Sequence, residues 1–312
     1  MENVVCDLCG DTQFSLVYRV VDRNYGTPGK FSIVKCDRCE LVYLNPRPSE
    51  PERPAIYPET QYDPFSAIRQ VRNPSTLATI RQRAHQLVQK HPTGKVLDVG
   101  CADGAFLLAL QSHGWKCIGV EPNPRMAKFA QQQGQLDVRN GEIFSVNDLN
   151  SFDLITFWDV LEHTPSPRAA LLHASKLLVS HGQLALNLPN WSSLERHLFG
   201  KSWIAIDAPR HFYHFTPATI RHLLQDCAFE VESLTTHAPV LTLASNVLRL
   251  AGDLVWRRSF SSNAVPISST SVPSLRRRML IRALHWGLIP LNGAINLTNH
   301  GSNVTIFARK VA

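Results

Sequence analysis

The chain has 312 residues, 44% of them hydrophobic and 18% charged, a composition that excludes extensive disorder and supplies one substantial core plus a smaller accessory unit. Its formal net charge of +7 fits a phosphate-bearing partner, and fits a solvated basic surface equally well. No apolar signal segment opens the sequence, and the most apolar late stretch, 279–298, contains Arg282, His285 and Pro290, which disfavours a membrane-spanning helix. We therefore expect a cytoplasmic protein.

Four of the seven cysteines form two tight pairs near the N-terminus, Cys6 with Cys9 and Cys36 with Cys39. Each C-x-x-C turn offers two thiolates from one loop, and two such turns complete the tetrahedral shell that zinc prefers. The segments 14–18 and 31–34 alternate as short strands do, which predicts a zinc ribbon. Two structural disulfides are the alternative. The missing secretory signal favours zinc, in a structural site with no open position.

A proline-dense connector, residues 44–64, follows the cysteine module and cannot form a long helix. Tyr57 and Tyr62 of the connector are either packing residues or part of a lid over a pocket. Residues 75–90 then carry apolar side chains on one face, which predicts a helix.

Residues 95–121 have the pattern of a β-α-β unit. A strand at 95–99 runs into a small-residue turn from Gly100 to Gly104, a helix follows at 105–112, and a second strand ends at Glu121. Such a turn lets backbone amides approach a nucleotide, and the acid can accept both ribose hydroxyls. A nucleotide-free fold in which the glycines only permit packing is the alternative. Asp103 would repel a pyrophosphate at the helix start, so the pattern favours cationic S-adenosylmethionine over a nicotinamide dinucleotide.

With these features in place, residues 94–237 resemble the class I S-adenosylmethionine-dependent methyltransferases. The segments that carry the resemblance are 96–104, 119–122, 141–142, 152–163 and 182–190. The resemblance implies a cofactor site built from Asp98, Gly100, Ala102, Gly104, Glu121, Pro122, Glu142 and Asp159. In it, Glu121 would hold the ribose and Glu142 would lie near the adenine. Ala102 stands where the family usually has its middle glycine, and the added methyl group leaves cofactor binding intact if the backbone there has a negative φ.

The implied fold is α/β: a Rossmann-like class I methyltransferase fold with a mostly parallel seven-stranded sheet, a small N-terminal zinc ribbon and a C-terminal helical insertion before the last strand. We expect the ribbon in residues 1–45, the connector and helix in 46–93, the cofactor-binding core in 94–238, and the helical insertion and closing strand in 239–312. The closing strand, 303–308, would lie antiparallel at the sheet edge.

The cysteine module and the segments 41–48 and 209–215 also resemble a bacterial subgroup that includes deoxysugar C-methyltransferases, which carry a longer C-terminal domain. The candidates for a general base are His163, after a strand, and His211, Tyr213 and His214, in an aromatic-rich loop. Thr216 and Pro217 would begin the next helix. Alternatively, His163 forms a hydrogen bond with a loop carbonyl, and the aromatic-rich loop forms a buried aromatic cluster. Trp191 and Trp203 would shape the same pocket or simply pack.

The C-terminal part contains an amphipathic segment at 241–258, a serine-rich stretch at 259–274 that we interpret as a flexible link, and a second apolar helix opened by Arg276, Arg277 and Arg278. The arginine triplet beside an apolar helix permits peripheral contact with an anionic membrane.

Three functions are compatible with these patterns. The first is methyl transfer from S-adenosylmethionine to a small-molecule acceptor, such as a sugar, a lipid-linked compound or a secondary metabolite. The alternatives are an RNA methyltransferase that uses the zinc ribbon for RNA contact, and a non-catalytic zinc-ribbon binding protein. The ribbon lacks a dense Lys/Arg stripe with stacking aromatics, which counts against a nucleic-acid partner.

Overall fold

The computed structural model describes residues 1–57, 74–91, 93–259 and 287–311. The chain divides into two compact units. The ribbon unit comprises Met1–Gln61, Leu188–Arg221 and Leu234–Thr305, and the sheet unit comprises Tyr62–Asn187, His222–Ser233 and Ile306–Ala312. Tyr62, the serine-rich stretch beyond residue 259 and the arginine triplet lie outside the described residues.

A four-stranded sheet forms the centre of the ribbon unit. Its strands are β1 (Phe14–Val20), β2 (Phe31–Cys36), β3 (Val42–Leu44) and β9 (Tyr213–His214), paired antiparallel in the order β1-β2-β3-β9. Tyr43 of β3 lies opposite Tyr213 of β9. A segment far along the chain therefore completes the sheet that the cysteine module begins.

The second sheet has seven strands, in the order β10-β11-β8-β7-β4-β5-β6. They are β4 (Lys95–Val99), β5 (Lys116–Glu121), β6 (Asp137–Asn140), β7 (Phe152–Trp158), β8 (Leu178–Pro189), β10 (Phe229–His237) and β11 (Asn303–Lys310). Strands β4 to β8 pair in parallel, which confirms the expected mostly parallel sheet of the Rossmann-like methyltransferase fold. Residue 100 follows β4 and residue 121 ends β5, so the two segments meet at the carboxyl edge of the sheet.

One expectation about this sheet is wrong. The closing strand β11 does not lie at the edge; it lies between β10 and β8. Val304, Ile306 and Ala308 are buried on one face of β11, and Phe307 is buried on the other, so apolar side chains of this strand are covered from both sides. Strand β10 has mostly half-exposed or exposed residues, and it takes the edge position instead.

Helices connect the strands. They are α1 (Pro74–Lys90), α2 (Ala105–Gln111), α3 (Pro124–Gln131), α4 (Pro167–Leu177), α5 (Leu194–Phe199), α6 (Pro217–Asp226) and α7 (Val240–Ser259), and residues 287–296 are also helical. The predicted N-cap of α6 is confirmed, because Thr216 Oγ1 accepts a hydrogen bond from the Thr219 amide at 3.1 Å. Within the described ranges, no helix has the length and apolarity needed to cross a bilayer.

The core of the sheet unit packs α1, α2 and α3 against the parallel strands. Leu87 of α1, Leu107 of α2 and Ala130 of α3 are fully buried, together with Val96 and Leu154 of the sheet. This packing fixes the strand ends from which the candidate site is built.

Candidate functional site

The turn after β4 brings the backbone close to its neighbours at two glycines. Gly100 has φ +69, and a Cβ there would lie 2.7 Å from Val160 Cγ2. Gly104, immediately before α2, has φ +75, and its Cβ would lie 2.6 Å from Leu136 Cδ1. Only glycine satisfies both the left-handed backbone and the lack of space at these positions.

Ala102, between the two glycines, also has a left-handed backbone, with φ +47. The condition of a negative φ is therefore not met. The amide of Ala102 donates to Glu121 Oε2 at 3.0 Å, and this bond helps to hold the loop in its strained shape. The site keeps the backbone that a glycine would give, at the cost of local strain.

Glu121 is the acid that joins the two halves of the β-α-β unit. Its Oε1 accepts from the Asn123 amide at 2.9 Å, while Oε2 accepts from Ala102. The residue is only 8% exposed, and burial raises the pKa of its carboxyl group despite the two amide hydrogen bonds. Each oxygen uses one of its lone pairs, so the carboxylate is fixed in orientation and can still accept hydrogen bonds from a ligand.

The end of β6 lies beside Glu121. The side chain of Asn140 donates to the carbonyls of Glu121 and Pro122, at 2.9 and 3.1 Å, and the Gly141 amide donates to Glu121 O at 3.0 Å. The next residue, Glu142, is exposed and begins the short 3₁₀ helix Ile143–Ser145. Glu121, Pro122 and Glu142 thus belong to adjoining strand ends.

Asp98 lies inside the sheet, one strand position before the turn. It is 3% exposed, and its Oδ1 accepts the hydroxyl of Thr156 at 2.6 Å. Burial raises the pKa of Asp98 to about 7, against the opposing effects of Thr156 and Arg83. The carboxyl group therefore changes its charge near neutral pH.

Asp159, directly after β7, is held by the strand beside it and by α1. Its amide donates to Asn187 O at 2.9 Å, its Oδ1 accepts from the Asn187 side chain, and its Oδ2 accepts from Arg83 Nη2 at 2.8 Å. The Arg83 guanidinium also lies over the Trp158 ring, 4.7 Å from the ring centre. The Asp159 backbone has φ +59, so after Ala102 it is a second non-glycine residue with a left-handed backbone at the carboxyl edge.

Sequence reasoning missed Arg83. Its partner Asp159 is 76 positions away, and nothing in the α1 pattern separates it from the solvated arginine at position 81. The signal that could have found it is the helix immediately before the β-α-β unit, because such a helix packs on the sheet near the strand ends.

The four candidate bases divide between the units. His163 ends the 3₁₀ helix Leu161–His163 in the sheet unit and is half-buried. His211 is in the ribbon unit, where its Nδ1 lies 2.8 Å from Ala205 O. Because a carbonyl can only accept, Nδ1 carries the proton and Nε2 is the basic nitrogen of the neutral ring.

Tyr213 and His214 belong to β9, not to a loop. The Tyr213 hydroxyl accepts from Arg47 at 3.1 Å, and His214 is 2% exposed with its ring centre 4.9 Å from that of Trp191. Burial, followed by the charge of His211, lowers the pKa of His214 to about 3. These surroundings favour the buried aromatic cluster for Tyr213 and His214, and Trp203 packs against Trp191 in the same cluster.

The centre of the ribbon unit is a buried ion network around Arg210. Its guanidinium donates to both carboxylate oxygens of Asp22 at 2.7 and 2.8 Å, to Asp207 Oδ1 at 2.6 Å and to Ile56 O at 3.1 Å. It also lies 4.4 Å from the Tyr25 ring centre. Arg210 is fully buried and all of these contacts are internal, so its role is to order the unit.

The four paired cysteines converge in the ribbon unit. Their sulfur atoms all lie within 4.8 Å of one another, with Cys6 Sγ 3.4 Å from Cys39 Sγ and Cys9 Sγ 3.5 Å from Cys36 Sγ. All four are free thiols. A zinc ion with bonds of about 2.3 Å to sulfur needs sulfur atoms roughly 3.8 Å apart, so the geometry suits a tetrahedral metal site and not two disulfides.

The chain is similar to several proteins named as methyltransferases. A ubiquinone biosynthesis O-methyltransferase from Xanthomonas oryzae pv. oryzae is 29% identical over 157 residues, covering 45% of this chain and 64% of the relative. The protein of the same name from Idiomarina loihiensis is 30% identical over 168 residues, covering 51% of this chain and 63% of the relative. The chain thus spans less than two thirds of these relatives. An S-adenosylmethionine-dependent methyltransferase from Archaeoglobus fulgidus superposes with a TM-score of 0.48 at 19% identity, covering 75% of this chain and 94% of the other.

The family model described as a methyltransferase domain matches residues 69–234, which is more than half of the chain. The matched region contains the turn after β4, Glu121 and Asp159. The chain belongs to the methyltransferase domain family.

Proposed function

We propose that the protein transfers the methyl group of S-adenosylmethionine to a small-molecule acceptor. The observation that carries the proposal is the buried carboxylate of Glu121, oriented by the amides of Ala102 and Asn123 beside the glycine turn. A fixed acid with unused lone pairs suits the two hydroxyls of a ribose. The relatives named as ubiquinone biosynthesis O-methyltransferases support a small molecule as the acceptor.

The residues at the strand ends suit the rest of the donor. Gly100 and Gly104 would allow close backbone approach, Pro122 and Glu142 would border the adenosine, and Asp98 and Asp159 would face the cationic end. We add Arg83 to the residues that the sequence suggests for this site. Its guanidinium, which pairs with Asp159, is suited to the carboxylate of the methionine moiety. When bound, the donor supplies a methyl group already activated by a sulfonium.

The protein's own part in the reaction is to bind, orient and exclude water. Where the acceptor must lose a proton, His163 and His211 are the proposed bases, and Tyr213 and His214 would act through packing. His163→Gln and His211→Gln, made separately, test this. Loss of the acidic limb of the pH-rate profile, with KM unchanged, marks the base.

The donor site is tested by calorimetric titration with S-adenosylmethionine. Glu121→Gln keeps the shape of the side chain but removes its charge, and a charge-assisted hydrogen bond contributes about 1.5–3 kcal/mol, so affinity should fall roughly 10- to 100-fold. Glu230→Gln, an acid on the exposed edge strand β10 paired with Arg309, is the matched control and should bind as the parent does. Equal affinities for the parent and Glu121→Gln would contradict the proposal.

We infer that Cys6, Cys9, Cys36 and Cys39 hold one structural zinc ion. The backbone of both C-x-x-C turns supports this inference, because a hydrogen bond closes each turn. The Gly10 amide donates to Cys6 O at 2.8 Å, and the Glu40 amide donates to Cys36 O at 3.1 Å. Purified parent protein should contain one zinc per chain by mass spectrometry, and Cys36→Ser should lose it. Cys227→Ser, which changes a buried single thiol, should retain the metal. A metal-free parent with full stability would contradict the inference.

A further inference from the structure

The indole ring of Trp158 packs against Arg83 at the carboxyl edge of the parallel sheet. Trp158 is the last residue of β7, and the Arg83 guanidinium lies over its ring, 4.7 Å from the ring centre. Phe106 of α2 contacts the same ring edge-on, with the two ring centres 5.6 Å apart. A side chain of α2 thus packs against the ring over which the guanidinium from α1 lies.

No hydrogen bond accounts for a tryptophan at this position. Trp158 Nε1 is buried and has no hydrogen-bond partner among the residues that the structure describes. A buried N–H group without a partner is destabilising, and a phenylalanine would avoid that cost. Indole is the aromatic ring that attracts a cation most strongly, so the contact with Arg83 is what a tryptophan adds here.

A ligand can reach the ion pair of Arg83 and Asp159. The two side chains are 17% and 45% exposed, and the bond between them, from Nη2 to Oδ2 at 2.8 Å, uses a single N–H of the guanidinium. Their charges match those of an α-amino acid, because a guanidinium suits a carboxylate and a carboxylate suits an ammonium group. A ligand ammonium that binds Asp159 weakens the bond to Arg83, but the contact between Arg83 and the Trp158 ring does not depend on that bond.

We propose that the Arg83–Asp159 pair binds the amino-acid end of S-adenosylmethionine, and that Trp158 is the positioning residue that keeps Arg83 in place for the carboxylate of the donor. This inference rests on the proposed function and adds to it the means by which one end of the donor is recognised. Part of the affinity for the donor then depends on its amino-acid end, and that part decreases when the ring of Trp158 is removed.

The test compares S-adenosylhomocysteine with methylthioadenosine, which lacks the amino-acid end. The sulfur atom is uncharged in both compounds, so the difference between their affinities, measured by calorimetry, isolates the contribution of that end. The parent should bind S-adenosylhomocysteine at least tenfold more tightly than methylthioadenosine. Arg83→Gln should bind S-adenosylhomocysteine at least tenfold more weakly than the parent, while its affinity for methylthioadenosine should stay within twofold.

The Trp158 variants test the positioning role. Trp158→Leu should bind S-adenosylhomocysteine about fivefold more weakly than the parent, and Trp158→Phe, which keeps an aromatic face, should recover most of that affinity. Arg81→Gln, at an exposed arginine of the same helix, is the matched control and should bind both compounds as the parent does. Unchanged binding of methylthioadenosine shows that a variant has kept the fold of the adenosine site.

Two results would overturn the inference and leave the proposed function in place. Arg83→Gln or Trp158→Leu could weaken the binding of both compounds to the same extent, which indicates a purely structural role, or either variant could bind S-adenosylhomocysteine as tightly as the parent. A parent that binds neither compound would overturn the proposed function, and the inference with it.

Discussion

Replacing Asp22 by Asn should destabilise the ribbon unit far more than the same change on the surface. Burial raises the pKa of Asp22, but the hydrogen bonds and charge of Arg210 outweigh it and lower the value from 3.8 to about 2. One pKa unit corresponds to about 1.4 kcal/mol, so the ionised carboxylate contributes about 2 kcal/mol at neutral pH. The variant also leaves Arg210 with one counterion instead of two. We therefore expect a loss of about 2–4 kcal/mol in the free energy of unfolding.

The pH dependence follows from the same value. Because the folded pKa is below the unfolded one, the contribution of Asp22 is present above about pH 4 and is lost as the pH falls towards 2. The parent should therefore lose stability over this range more steeply than Asp22→Asn. Urea unfolding followed by tryptophan fluorescence and circular dichroism measures both effects.

The matched control is Asp226→Asn. Asp226 also pairs with an arginine, Arg168, at 2.7 Å, but the two side chains are 36% and 31% exposed. An exposed pair of this kind contributes about 0–1 kcal/mol, so the control should remain close to the parent. Equal losses in the two variants would refute the argument that burial gives the Arg210 network its strength.

Three further predictions concern the carboxyl edge of the parallel sheet. Gly100→Ala should lower the free energy of unfolding by at least about 1 kcal/mol, since φ is +69 and Val160 fills the space; a thermal melt equal to the parent's would contradict this. Ala102→Gly should be neutral or stabilising in the same melt, because it relieves a left-handed alanine, whereas Ala127→Gly within α3 should cost about 1 kcal/mol. Asp98, with its pKa raised to about 7, stabilises the fold when protonated, so stability should fall as the pH rises from about 4 through 7, and Asp98→Asn should flatten that dependence.

The parts of the fold that the sequence predicts well are local. Strand β4, the turn, α2 and β5 lie within 27 consecutive residues, so apolar periodicity, two glycines and one acid suffice to predict them. The apolar pattern of residues 75–90 likewise predicts the start of helix α1 to within one residue. Patterns of this kind depend on neighbours along the chain, and a single sequence contains them.

What the sequence does not predict depends on distant partners. The sequence indicates that Arg210 is part of a loop rich in polar and aromatic residues. Its partner Asp22 is 188 positions away, and only the fold brings the two together. The sequence indicates a loop at Tyr213 and His214, because two residues are too few to show strand periodicity, and their pairing with β3 makes them a strand. The positive φ of Ala102 has a related cause, since the hydrogen bond from its amide to Glu121 is a contact between two strand ends.

The pairing of β9 with β3 has a consequence for the biogenesis of the protein. During synthesis the two C-x-x-C turns leave the ribosome before β9, the last strand of their sheet, which follows β3 by about 170 residues. Until then β3 has an open edge, where a foreign strand could add. A fragment that stops at residue 45 would keep this edge permanently, so the first 45 residues should be poor material for expression alone or for grafting onto another protein.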